Sequence, residues 1–334
     1  MATANGGTQP LRLSTTDGCS GPHQPQRILV TGASGLLGIN LALEASRENS
    51  EDRRVYGLVN DNQLYTNRFT VVQGDLLAPG TAERLLDEIH PDWVIHCAAL
   101  ANLDACETDP ARAKQLNSEV PRKLAQIVAR SGARLLHVST DAVFDGKRGD
   151  YTEGDQPHPV GVYSQTKLAG EQAVLEAAPQ AIVARVNLFG YSVTGKRSLG
   201  EFFLYNLQTG RPVLGFTDVF FCPLLANDLA GIFLHMLEAG LSGLYHVVSS
   251  ECLSKYEFGL RIARRFDLDE KLIQPTSVSQ AELRAARAPN LSLRTEKLTQ
   301  ALGRTTPTVK AGVERFYQLY QEGYPGFIRE LGNA

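Results

Sequence analysis

Six short apolar runs punctuate the first 190 positions: Ile28–Val30, Val55–Val59, Phe69–Val72, Trp93–His96, Leu135–Val138 and Ala181–Val186. Each is too short for a buried helix and lacks polar alternation, the pattern of a strand covered on both faces. Between several of them lie stretches with helical spacing: Leu36–Arg47, Thr81–Ile89, Pro110–Arg130 and Val160–Ala177. Strands alternating with helices predict an α/β fold, a doubly wound parallel sheet of Rossmann type. Its strands should all end on one edge, where ligands bind. After Val186 the alternation degrades, and Tyr191–Ser198 and Gly210–Pro223 carry Gly, Pro and aromatics without a period. Leu224–Leu241, broken by Asn227, Asp228 and His235, reads as a buried helix. Leu244–Val248 reads as a strand returning to the sheet, and Ser254–Phe266 as another helix. The expected organisation is a disordered tail over 1–26 and a first domain over 27–186, to which segments near 224–250 return. A smaller, discontinuous second domain takes most of 187–334.

Composition narrows the class. With 43% hydrophobic and 21% charged residues in 334, the chain is globular. A net charge of −3 supplies no field for nucleic acid or an anionic membrane, so neither is expected as a partner. No stretch reaches the ~18 apolar residues of a membrane span. The first 26 residues are rich in Gly, Thr, Ser, Pro and Gln, without a basic start and apolar run, so no signal peptide is expected. Five widely spaced cysteines without a C-x-x-C argue against a disulfide scaffold or a zinc site. They favour a reducing compartment, and the expectation is a cytoplasmic protein with no metal.

Three local features carry chemistry. Thr31-Gly32-Ala33-Ser34-Gly35-Leu36-Leu37-Gly38 follows a predicted strand and opens a predicted helix, the context a dinucleotide site requires. Glycines let the backbone approach a pyrophosphate, and the helix N-terminus offers free N–H groups. Ser139-Thr140-Asp141 ends the strand Leu135–Val138, placing hydroxyls at the crevice edge. Tyr163 and Lys167 stand four apart on a predicted helix and share one face. An ammonium beside a phenol can lower the phenol's pKa by ~1–3 units, towards the range of efficient acid catalysis.

Together with His96-Cys97-Ala98-Ala99, Ser139–Gly146 as S-T-D-A-V-F-D-G, Tyr163–Glu171 as Y-S-Q-T-K-L-A-G-E, and Ala288-Pro289-Asn290, these features are specific. The chain resembles the extended short-chain dehydrogenases/reductases, and among them the dTDP-4-dehydrorhamnose reductase group. The resemblance spans most of residues 27–303. It implies reduction of a 4-keto nucleotide sugar with NADP or NAD, residues 27–186 being the NAD(P)-binding domain. Tyr163 would be the catalytic acid, Lys167 would hold the nicotinamide ribose and lower the phenol's pKa, and Thr140 would bond the substrate carbonyl. Gly32, Ser34, Gly35, Leu36, Leu37 and Gly38 would form the pyrophosphate turn. Asn60, Asp75, Leu76, Cys97, Ala98, Ala99, Asn117 and Ser139 would complete the cofactor site, and Asp141 and Asn187 would face the substrate. Asp104 and Glu107 match acidic positions of the group, and His96 reads as structural.

The departures also inform. Ala142 stands where reductases of the group usually have Tyr and nucleotide-sugar dehydratases have Glu, which argues against elimination chemistry. Ala101 replaces a frequent Thr, and Arg185–Gly190 is one residue shorter than the group's pattern. Strand Val55–Val59 is followed by Asn60, so the acid of NAD-preferring members is absent there, and Asp61 comes late. No Arg follows directly to hold a 2′-phosphate, although Arg68 could fold back, and the reading leans to NADPH. Lys196, Arg197, Arg211 and Arg284 are candidate cations for a substrate diphosphate. Two alternatives stay open: a nucleotide-sugar epimerase, or a cofactor-binding regulatory subunit similar to the β subunit of methionine adenosyltransferase. A homodimer is left open.

Overall fold

The computed structural model describes residues 25–47, 52–280 and 288–332. Most of the expected tail and Arg284 lie outside the described residues. The first half runs β1 (Gln26–Thr31), α1 (Leu36–Ala45), β2 (Arg53–Val59), β3 (Thr70–Gln73), α2 (Thr81–Ile89) and β4 (Trp93–His96). It continues through α3 (Leu103–Thr108), α4 (Pro110–Lys114), α5 (Val120–Ser131), β5 (Arg134–Thr140), α6 (Val162–Ala177) and β6 (Ile182–Val186). The later elements are β7 (Leu188–Phe189), α7 (Leu199–Gln208), β8 (Val213–Phe216), β9 (Phe220–Phe221), β10 (Leu224–Leu225) and α8 (Ala226–Glu238). Then come β11 (Gly243–Val247), β12 (Leu253–Ser254), α9 (Lys255–Arg265), β13 (Ile273–Thr276), α10 (Glu296–Leu302), α11 (Val309–Gln321) and α12 (Tyr324–Glu330).

Seven strands form one parallel sheet in the order β11-β6-β5-β4-β1-β2-β3. β1 pairs with β2 on one side and β4 on the other, so the chain reverses its direction of winding there. That reversal opens a crevice at the carboxyl ends of β1 and β4. The apolar runs are continuous because both faces are covered. Ile28 and Val30 join Trp93, Ile95, Leu136, Ile182 and Ala184 in one core. Leu29 joins Leu58, Val94, Leu135 and Val183 in the other. As expected, a late strand, β11, pairs with β6 and extends the sheet. No helix among the described residues is long and apolar enough to cross a membrane.

Three expectations change. The predicted helix Pro110–Arg130 is interrupted by a π turn at Gln115–Glu119. Pro121 has no N–H to give to the Asn117 carbonyl four residues earlier, and the ladder loosens there. The apolar segment from Leu224 begins as the short strand β10, paired with β7, before α8 starts. Finally, Cys222 and Cys252 form a disulfide, against the reading of the cysteines from spacing alone. The antiparallel pairing of β9 with β12 brings together two residues 30 positions apart, which spacing cannot show.

Candidate active site

β1 stops at Thr31 and the chain turns back through Gly32 at φ 68°. A Cβ at Gly32 would stand 2.8 Å from Ala98 Cα, so only glycine lets the turn pack beside the β4 edge. Gly35 precedes α1 without any side-chain cap, leaving the first amides of the helix for an anion. This bare turn fits a dinucleotide pyrophosphate. It opens on a cleft of about 350 Å³ whose walls include Gly32, Gly35, Leu36, Leu37 and Gly38 from the turn. Across from them stand Cys97, Ala99, Ser139, Thr140, Asp141, Tyr163, Lys167 and Asn187.

Other expected residues sit elsewhere or are already engaged. Ser34 borders a neighbouring cavity, and Asn60, Asp75, Leu76, Ala98 and Asn117 are not among the cleft walls. Asn60 and Asp75 are exposed, and the Asp75 carboxylate accepts from Leu77 N at 2.9 Å within its own turn. Leu76 packs into the core. The buried Asn117 amide is spent inside the protein, accepting from Leu100 N (2.9 Å) and donating to Leu100 O (3.1 Å) and Thr166 Oγ1 (3.2 Å). The Ser139 hydroxyl donates to Glu171 at 2.5 Å, whose carboxylate pairs with Arg185 at 2.8 Å. Asn117 and Ser139 thus clamp the walls. Of the candidate cations, Arg197 lines the cleft. Lys196 and Arg211 are exposed.

Tyr163 lies in the first turn of α6 and Lys167 one turn later, so both reach the same cleft. Lys167 Nζ donates to Val138 O at 2.6 Å and lies 3.5 Å from His137 Nε2. Burial pulls the ammonium down to about 8. Burial also pushes the Tyr163 phenol up to about 12, against an opposing hydrogen bond with Thr140. The expected lowering by Lys167 is therefore not found: desolvation is the largest influence, and the phenol holds its proton at neutral pH. Thr140 Oγ1 donates to Asp141 Oδ1 at 3.1 Å, and Asn187 Nδ2 donates to Asp141 Oδ2 at 2.6 Å. Asp141 is still pushed up to about 6 by burial, with the field of Lys255 acting the other way. His96 has a structural role, its Nδ1 2.7 Å from the Thr31 hydroxyl and its ring stacked on His137. Burial draws it down to about 3, so it carries no charge.

A second cavity, of about 420 Å³, lies on the far side of Tyr163. Tyr163 and Asn187 belong to the walls of both cavities. Its walls are apolar at Leu103, Phe144, Val160, Phe220 and Leu291, and polar at Glu107, Ser164 and Lys255. Ala142 faces it too, so the missing tyrosine leaves room there. Lys255 and Phe220 escaped the sequence reading. The Ser254-x-x-Glu257 capping box marks Lys255 as the first residue of a helix. Only the pairing of β12 with β9 shows that this helix end faces the cavity. Glu107 shows its use here as well: its carboxylate accepts from Val162 N at 2.9 Å, capping a helix whose own N-cap is Gly161.

The doubly wound sheet, the Gly turn and a Tyr-x-x-x-Lys pair on one cleft define an extended short-chain dehydrogenase/reductase. Residues 26–322 match the family described as RmlD substrate binding domain, and the chain belongs to that family. It is 33% identical over 286 residues to a probable low-salt glycan biosynthesis reductase of Haloferax volcanii, covering 84% of this chain and 94% of that one. It is 35% identical over 269 residues to dTDP-4-dehydrorhamnose reductase of Mycobacterium tuberculosis, covering 79% and 83%. It is also 31% identical over 308 residues to methionine adenosyltransferase 2 subunit beta of Mus musculus, covering 84% of each. Among solved structures it is similar to dTDP-4-dehydrorhamnose reductase of Bacillus anthracis in complex with NADP. The TM-score is 0.78 and the identity 25%, over 88% of this chain and 99% of that one.

Proposed function

We propose that the protein reduces the 4-keto group of a nucleotide-linked sugar with a nicotinamide dinucleotide, NADPH in preference to NADH. The observation that carries this reading is the meeting of two cavities at Tyr163 and Asn187, one bordered by the Gly turn and one lined jointly by residues 103–187 and by later segments at 219–221, 255 and 288–291. The dinucleotide, when bound, supplies the hydride. The chain's own residues do the rest. Gly32, Gly35 and the first amides of α1 would hold the pyrophosphate, and Lys167 would bond the nicotinamide ribose. Thr140 orients the carbonyl, and Tyr163 passes its phenolic proton to the oxygen as negative charge develops there. Lys167 stabilises the phenolate left behind. The buried Phe144 gives the reacting carbon an apolar wall, while Val160 and Phe220 stand exposed at the rim of the same cavity.

Tyr163→Phe removes the proton and keeps the ring. Turnover of a 4-keto nucleotide sugar is expected to fall at least ~100-fold, while dinucleotide affinity stays within about twofold of the wild type. Unchanged turnover in that variant contradicts the assignment of the acid. The similarity to a methionine adenosyltransferase subunit supports a second reading, binding to a partner enzyme. That reading expects a stoichiometric enzyme partner to co-purify from the native lysate, with or without Tyr163.

A further inference from the structure

Ser34 of the Gly turn borders another cavity, of about 590 Å³, whose walls do not include Tyr163. Ser34 of the turn and Asp61 of the loop after β2 form one wall, and Thr194, Arg197 and Arg329 form the other. Arg197 also lines the cofactor cleft, so the two spaces adjoin. In this fold the adenosine ribose lies over the end of β2 next to the Gly turn, which is where this cavity opens.

The two arginines come from distant parts of the chain and both are exposed, with side-chain contacts holding Arg329 in place. Arg329, on α12, donates to Tyr205 Oη at 2.7 Å and lies over the Tyr205 ring at 5.1 Å. The loop after β2 is tied to the same end of the chain by Tyr65 N donating to Leu331 O at 2.8 Å. Among the described residues neither guanidinium forms an ion pair with a carboxylate. Arg68, which the sequence suggested, is not part of this cavity. One carboxylate, Asp61, shares the wall, and Asn60 Nδ2 donates to it at 3.3 Å. An acid alone would suit free ribose hydroxyls. Two guanidiniums beside a serine hydroxyl suit a phosphate.

We propose that Arg197, Arg329 and Ser34 form a subsite for the 2′-phosphate of the adenosine ribose, so that the chain selects NADPH through residues far from β2 in sequence. The proposal rests on the reading that the Gly turn takes the pyrophosphate of a nicotinamide dinucleotide. Arg329 reaches only the adenosine-side cavity, whereas Arg197 borders both spaces. The two should therefore differ in effect.

The test is a fluorescence titration of NADPH and NADH against the wild type, R329Q, R329K and R197Q, with 2′,5′-ADP as a competing probe. The wild type should bind NADPH at least ~10-fold tighter than NADH. R329Q should weaken NADPH about tenfold and leave NADH within about twofold, which also reports an intact fold. R329K should restore part of the loss, and R197Q should weaken both dinucleotides, NADPH more. In the wild type 2′,5′-ADP should displace NADPH, and in R197Q/R329Q it should not. Equal binding of NADPH and NADH by the wild type overturns the subsite and the preference for NADPH, and an equal loss of both in R329Q overturns the subsite; either result leaves a nicotinamide dinucleotide at the Gly turn standing. Binding of neither dinucleotide by the wild type overturns both.

Discussion

Tyr163 and Lys167 titrate under the same influence, removal from water, and it drives them in opposite directions: the phenol up to about 12, the ammonium down to about 8. At neutral pH the phenol therefore carries the proton it is to give away, and the lysine still carries its charge. Above about 8 the ammonium is lost first. Because burial disfavours the charged form of Lys167, the cation is present below its lowered pKa and absent above it. The expected rate of carbonyl reduction is level near pH 7 and falls about tenfold per pH unit above 8. Lys167→Arg, always charged, should be slower at pH 7 but lose that alkaline limb. A wild-type profile flat to pH 10 contradicts this role for Lys167. The residues themselves were legible in the sequence, since four-residue spacing on a helix needs no structure. Their protonation was not, because desolvation depends on what packs over them.

At the scale of elements, the parallel strands were readable because burial on both faces leaves unbroken apolar runs such as Ile28-Leu29-Val30. The π turn at Gln115–Glu119 was hidden because the helical spacing continues almost unbroken across it. The strand β10 was hidden because Leu224 and Leu225 are apolar in either conformation. The start of α6 was read to within two residues, at Val160 against Val162, but its cap was hidden because it comes from Glu107, 55 positions earlier. Glu107 holds the turn that carries Tyr163, and Glu107→Ala frees the Val162 amide. A loss of about 0.5–2 kcal/mol of stability is expected, with kcat reduced more than dinucleotide affinity. Glu107→Gln keeps an accepting oxygen and should restore most of the rate. Equal kcat in the alanine variant and the wild type would show that the first turn of α6 stands without Glu107.

Across the whole molecule, a chain of net charge −3 is expected to bind two diphosphates, and its cations are supplied locally by late segments. Those segments dock on the sheet through buried polar contacts to α1. Asn40 donates to Tyr191 O at 2.8 Å and accepts from Tyr324 at 2.9 Å. The same docking sets α12, with Arg329, beside the loop after β2. Lys255 reaches the second cavity from the end of the β9–β12 pair, which the Cys222–Cys252 disulfide ties together. None of this long-range assembly has a local signature, so the C-terminal half of the site was the least legible part. In the proposed function Tyr163 joins a dinucleotide cleft to a cavity for a 4-keto nucleotide sugar. The most direct measurement mixes the purified protein with NADPH and with NADH and a panel of 4-keto dTDP-, GDP- and UDP-sugars, following nicotinamide absorbance. Stoichiometric oxidation with at least one sugar, faster with NADPH, is the predicted result. Tight NADPH binding with no oxidation across the whole panel would contradict a reductase role for Tyr163.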